Sequence, residues 1–230
     1  VACTDSLTVY HLASGRGKDS IDAGGVLPTF AGVAVHDGLA SYPRYDVSHG
    51  LCAAHHLREL AGTGQATGQD WPTALADLLV AMHVAVQDAK ADAKATLPRR
   101  PLKAYRARYD ALVTEGQRLN PPPPRTGSPG RPKLGPAGAL LRRLQVYVDD
   151  VLRLATDFQV PFDNNQAERD IRTVKLQQKI SGGWRSQTGA KPFLAVRSYL
   201  STARKQNQDA LQVLRVLFTA NDWVPAGPGP

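Results

Sequence analysis

The chain has 230 residues, 42% hydrophobic and 7% aromatic, with a formal net charge of +8. That length fits one domain with a true core, or a domain carrying a large insertion. The absence of any run of about eighteen apolar residues excludes a membrane-spanning helix. Two cysteines, Cys3 and Cys52, point to a reducing compartment rather than a disulfide scaffold. The start at Val1, with neither Met nor a signal-peptide pattern, is what a fragment would give.

Residues 1–13 alternate and are rich in Val, Thr and Tyr, and Asp5-Ser6 divides them as a hairpin turn would. Asp5 reads as a turn residue. Asp19 to Leu27 reads as a short helix. Gly32 to His36 is an apolar run that reads as a buried strand ending at Asp37-Gly38. Asp37 then has two readings: an ordinary Asp-Gly turn, or a carboxylate projecting from a strand end into a crevice. Ser41 to Tyr45 reads as a turn, Ser48 to Cys52 as a second short strand, and Ala53 to Leu60 as a helix.

His49, Cys52, His55 and His56 have the look of metal-ligand spacing. A structural zinc needs four ligands, however, and only His83 follows downstream. Packing is the expected role for Cys52, and a polar or phosphate-facing edge for His55 and His56.

From Trp71 to Phe158 the pattern is helical. Leu75, Leu78, Leu79, Met82 and Val86 make one apolar stripe, and Tyr105, Tyr109 and Leu112 a second. Leu141, Leu144, Val148, Val151, Leu152 and Ala155 make a third. Between the last two lies the Pro-rich stretch Asn120 to Pro136, with Arg125, Arg131 and Lys133, which cannot be regular helix or sheet.

The segment VPFDNNQAERDIRTVKLQQKISGGW, Val160 to Trp184, opens with a turn and continues as a helix from about Gln166 to Lys179. Glu168 lies one turn in, flanked by Arg169, Arg172 and Lys175. It reads either as a metal ligand beside a phosphate-binding surface or as the capping partner of Asn165. Residues 191–206 read as a helix with Phe193, Val196, Tyr199, Leu200 and Ala203 inward. Asn207 would cap a last helix with Leu211, Leu214, Leu217 and Phe218 inward.

The charge is not spread evenly. Residues 168–205 hold nine Lys and Arg against Glu168 and Asp170, so +7 of the excess lies in one late segment. That is the footprint expected for a polyanionic partner.

Four strings, VHDGLASY, LCAAHHLREL, VPFDNNQAERDIRTVKLQQKISGGWRS and RSYLSTARKQ, together resemble the DDE transposases of the insertion-sequence-66 family, in that family's order. The resemblance is weakest from about Gln65 to Ala139. It implies an α/β, RNase-H-like fold: a mixed sheet with flanking helices, interrupted by a mostly helical insertion. Residues 1–64 would begin the catalytic core, 65–157 form the insertion with its Pro-rich loop at 120–136, 158–206 carry the catalytic helix and the basic end of the core, and 207–230 a last helix and tail.

By the same resemblance Asp37 and Glu168 are the second and third acids of the triad and ligands of two Mg²⁺ (or Mn²⁺) ions. Arg169, Arg172, Lys175, Lys179 and Arg185 would meet DNA, and Trp184 would either stack on an unpaired base or pack in the core. The expected partners are transposon-end DNA and further transposase subunits, in a bacterial cytoplasm at the nucleoid, with no membrane. The family's first Asp, in a motif like DET, would lie upstream of VACTDSLTVY. The chain therefore looks like the carboxy-terminal part of a transposase, with little or no cleavage activity alone. The rival is a non-catalytic basic fragment that binds nucleic acid or regulates the full-length protein, with Asp37 and Glu168 as turn and cap residues.

Overall fold

The computed structural model describes residues 1–124, 133–182, 184, 187–219 and 223–227. The fold is mixed α/β and mostly helical. It divides into two compact units: residues 31–164, and residues 1–30 with 165–230.

In the unit 31–164, strand β3 (Val33–His36) pairs in parallel with β4 (Ser48–Leu51), Val33 opposite Ser48 and His36 opposite Leu51. The apolar run stops where expected, at Asp37-Gly38, and Gly38 takes φ +86°, a conformation costly for residues with a Cβ. Only His36 is fully buried on β3; Val33 to Val35 are half-buried. Helix α2 (Ala53–Thr67) runs well past Leu60. Its stop is Gly68, at φ +65°, whose N–H donates to the Gly64 carbonyl, a left-handed C-terminal cap.

Helices α3 (Trp71–Ala91), α4 (Arg99–Leu119), α5 (Pro136–Val146) and α6 (Val148–Thr156) follow. The three apolar stripes are their core faces: Leu75, Leu79, Met82, Val86, Tyr109, Leu112, Leu141, Leu144 and Val151 are buried in one cluster with Leu60 and Trp71. The third stripe is shared by two helices that meet at Tyr147. The buried Tyr109 hydroxyl donates to the Leu144 carbonyl at 2.9 Å, in the last turn of α5. Gly116 allows close approach, since a Cβ there would sit 2.5 Å from Leu141 Cδ2 and 2.9 Å from Trp71 Cδ2. Arg125 and Arg131 of the Pro-rich stretch lie outside the described residues.

In the other unit, the hairpin at Asp5-Ser6 joins β1 (Ala2–Cys3) to β2 (Thr8–Val9), antiparallel. Helix α1 (Lys18–Asp22) is shorter than the expected Asp19–Leu27 because Gly24-Gly25 follows it, Gly25 at φ +72°. Helices α7 (Asn165–Ser181), α8 (Gln187–Lys205) and α9 (Ala210–Phe218) complete the unit. One face of α8 satisfies the hairpin backbone. Thr202 Oγ1 accepts from Thr8 N–H at 3.0 Å and donates to Thr8 C=O at 3.2 Å, and Ser198 Oγ accepts from Tyr10 N–H at 2.9 Å. Lys205 Nζ donates to the carbonyls of Thr4 at 2.6 Å and Leu7 at 3.1 Å. Ser198, Thr202 and Lys205 lie at i, i+4 and i+7, one side of a helix, and do for the strand what a neighbouring strand would otherwise do.

Several expectations are corrected. Where one mixed sheet was expected, the described residues form two separate two-stranded ladders, because each strand is only two to four residues long. Asn207 does not cap the last helix: at φ +56° it terminates α8, and Asp209 caps α9 by accepting from Gln212 N–H at 2.8 Å. Leu211 and Phe218 are 67% and 87% exposed and Val196 is exposed, while Val213 is buried. In a helix as apolar as ALQVLRVLF, periodicity does not single out the packed face. Among the described residues no helix is long and apolar enough to cross a membrane.

Candidate metal centre and nucleic-acid interface

Asp37 stands exposed at the end of β3. One carboxylate oxygen, Oδ1, accepts from Leu39 N–H at 3.1 Å, which fixes the side chain over the turn and leaves Oδ2 outside that bond. Behind it His36 is buried and stacks on Tyr42, ring centroids 4.5 Å apart. His36 Nδ1 accepts from Gly38 N–H at 3.0 Å, and Nε2 meets His49 Nδ1 at 3.1 Å. Burial, and then the neighbouring His49, hold the His36 pKa down to about 4, against a smaller upward pull from Asp37. The ring is therefore neutral at pH 7. Burial and then the Asp37 charge push the Tyr42 phenol up.

Two residues beside this turn were missed by sequence reasoning. His36 immediately precedes the candidate acid, which was the available signal. Arg143, on α5, gave no signal, because it sits far along the chain among a helix's surface positions. Its stem passes the turn, such that a Cβ on Gly38 would lie 3.8 Å from Arg143 Cδ. Its guanidinium pairs with Glu59.

Helix α7 has two faces. Asp170 and Val174, one turn apart, point inward. Asp170 Oδ2 accepts from Thr8 Oγ1 at 3.4 Å and lies 3.8 Å from Lys205 Nζ, and the Asp170 carbonyl accepts from Tyr10 OH at 3.0 Å. Val174 is buried with Tyr10 and Leu194. At 3.6 residues per turn, Glu168, Arg172, Lys175 and Lys179 fall together on the opposite side. Arg172, Lys175 and Lys179 are exposed and, with Thr173 and Leu176, line one shallow hollow. Glu168 is half-buried. Arg169 is exposed to the side and donates to Gln166 Oε1 at 3.1 Å. Arg185 lies outside the described residues. Trp184 is half-buried against Phe193, centroids 5.1 Å apart, at the edge of the Tyr10 cluster, so it packs in the core.

The zinc-like spacing does not converge. His49 bonds to His36 and to the Tyr45 carbonyl. Cys52 is buried, its thiol accepts from Asn164 N–H at 3.3 Å, and burial pushes its pKa up. His56 is 3% exposed and lies within the fold, not at the expected phosphate-facing edge. Among the described residues no group of three or more His, Cys, Asp or Glu is arranged to hold a metal.

A family model described as "Transposase IS66 family" matches residues 1–192. Comparison with curated proteins and with solved structures gives no match.

Proposed function

The chain belongs to the IS66 family of transposases, and from that premise we propose that it serves as a DDE transposase, in the reaction that cleaves DNA at the ends of an insertion sequence and transfers the freed strand. Asp37 and Glu168 serve as the second and third acids of the triad, in a catalytic core of RNase-H-like descent. The work is done on nucleoid DNA in the cytoplasm, by an assembly of subunits.

The observation that carries this reading is the outward stripe of α7. One carboxylate stands in line with three exposed cations, on the side away from the Asp170 anchor. A carboxylate alone would repel DNA; Arg172, Lys175 and Lys179 offset that repulsion and attract phosphates without regard to base sequence. Arg169, exposed beside the stripe, and Arg185, close by in sequence, would add phosphate contacts. Asp37 and Glu168 would hold the divalent metal. When bound, such a metal activates the attacking oxygen and stabilises the leaving one. Asp37 is suited to the task because its turn is fixed by the Leu39 bond while its other oxygen points out of that bond. The neutral His36 behind it adds no competing positive charge.

With two of the three acids in residues 1–230, the chain alone binds DNA and does not cut it. The test is a magnesium- or manganese-dependent nicking assay on DNA carrying the transposon ends, run with these residues alone and with a chain extended to include the first acid. Cleavage only in the extended chain, lost in Glu168→Gln, is expected. Robust cleavage by residues 1–230 that vanishes in Glu168→Gln would mean that the first acid lies within them.

A further inference from the structure

We infer that His36 and His49 form a positioning pair for Asp37: two imidazoles, their protons ordered by a single backbone donor, that hold the Asp37-Gly38 turn in place. The inference rests on the reading of Asp37 as a metal ligand and adds to it the residues that aim the ligand.

The argument starts from the Gly38 amide. An N–H can only donate, and this one points at His36 Nδ1, 3.0 Å away. Nδ1 therefore carries no proton, and in a neutral ring the proton sits on Nε2. His36 Nε2–H then has one acceptor, His49 Nδ1, at 3.1 Å. That leaves His49 Nδ1 bare and its proton on Nε2, which donates to the Tyr45 carbonyl at 3.2 Å. Each of the four ring nitrogens meets a partner of the right kind. Reversing either tautomer would set two hydrogens against each other, or two lone pairs.

The surroundings fix both rings. His49 is paired in register with Ala34, so its side chain leaves the ladder on the same face as that of His36, two residues along from Ala34. Tyr42 stacks on the His36 ring at an interplanar angle of 24°. The His36 carbonyl accepts from Cys52 N–H at 3.0 Å, and the His49 carbonyl accepts from Arg153, which is itself paired with Asp150. A rigid imidazole thus holds the amide that follows Asp37, at a glycine with φ +86°. Partners of this kind behind a ligand commonly change metal affinity by 10- to 100-fold when removed.

The test uses the 230-residue chain. Long-range ¹H–¹⁵N spectra of the imidazoles should show Nε2–H, with bare Nδ1, in both His36 and His49. Manganese titration, followed by broadening of the Gly38 and Leu39 amide signals, reads the aim of Asp37. His36→Phe keeps a ring against Tyr42 and removes both nitrogens. It should raise the manganese needed for half-broadening about tenfold. His36→Asn keeps an acceptor for the Gly38 amide and should restore most of that loss. An Nδ1–H tautomer in either ring, or a Phe variant that binds manganese like the unaltered chain, overturns the pair. If the unaltered chain shows no broadening at Gly38, the reading of Asp37 as a ligand fails, and the tautomers then decide the hydrogen-bonded pair alone. The tautomers need no variant, so a misfolded substitution does not block the test.

Discussion

Asp170 Oδ2 lies 3.8 Å from Lys205 Nζ, tying α7 to α8 two residues after Glu168 on the same helix. Two residues is a little over half a turn. The anchor that turns Asp170 inward therefore leaves Arg172, Lys175 and Lys179 exposed on the opposite side, with the half-buried Glu168 in line with them.

The two acids of α7 should respond differently to substitution. Asp170→Ala removes a largely buried carboxylate from Thr8 and Lys205 and should lower stability by about 1–3 kcal/mol. Glu168→Gln, which keeps the size and most of the hydrogen-bonding capacity of the side chain, should cost clearly less. Urea unfolding of the two variants reads the difference. Equal losses would mean that Glu168 is a structural residue.

The exposed cations should contribute to DNA affinity as phosphate contacts. Replacing Arg172, Lys175 or Lys179 by Ala should weaken binding to any duplex and reduce the slope of log affinity against log salt by about one each. The circular dichroism spectrum should not change. Arg118, paired with Glu115 on the other unit, is the control, and its replacement should leave the slope alone.

Close packing at Gly116 gives a third expectation. Gly116→Ala would push a methyl into Leu141 and the Trp71 ring and should cost about 1–3 kcal/mol through overpacking, despite alanine's better helix propensity. An alanine variant at least as stable as the parent would contradict the packing of α4 against α5 and Trp71.

His36 makes stability depend on pH. Its folded pKa of about 4 lies below the unfolded value near 6.5, so unfolding takes up a proton below 6.5. The contribution is complete above about pH 6.5 and is lost progressively as pH falls from there through 4, about 3 kcal/mol in all. In chelator, with no metal present, His36→Asn should flatten that part of the stability profile. An unchanged profile would mean that His36 is not the group responsible.

Much of the local structure was legible in the sequence because the signals were local. The Asp5-Ser6 hairpin, the apolar run before Asp37 and the stripes at Leu75–Val86 and Leu141–Ala155 each follow from side-chain period within one element. The failures have local reasons too. The end of α2 depended on Gly68 taking a left-handed conformation, while Gly62 and Gly64 remained helical. Asn207 was misread because a residue between two helices can end the first or begin the second, and only its φ of +56° decides. For the candidate site, the proposed acids and the basic helix stand out as motifs in the sequence. The His36–His49 pair and the approach of Arg143 to Gly38 were not, since contacts between residues distant in sequence leave no trace in periodicity.

The central claim is that Asp37 and Glu168 hold metal at one reaction centre. Its most direct test replaces magnesium by ferrous iron in the DNA-bound chain and maps the peptide bonds cut by the hydroxyl radicals that iron generates with ascorbate and peroxide. The account predicts cuts near residue 37 and near residue 168, both suppressed by excess magnesium and both lost in Asp37→Asn. Cuts near one position that survive removal of the other acid would contradict it.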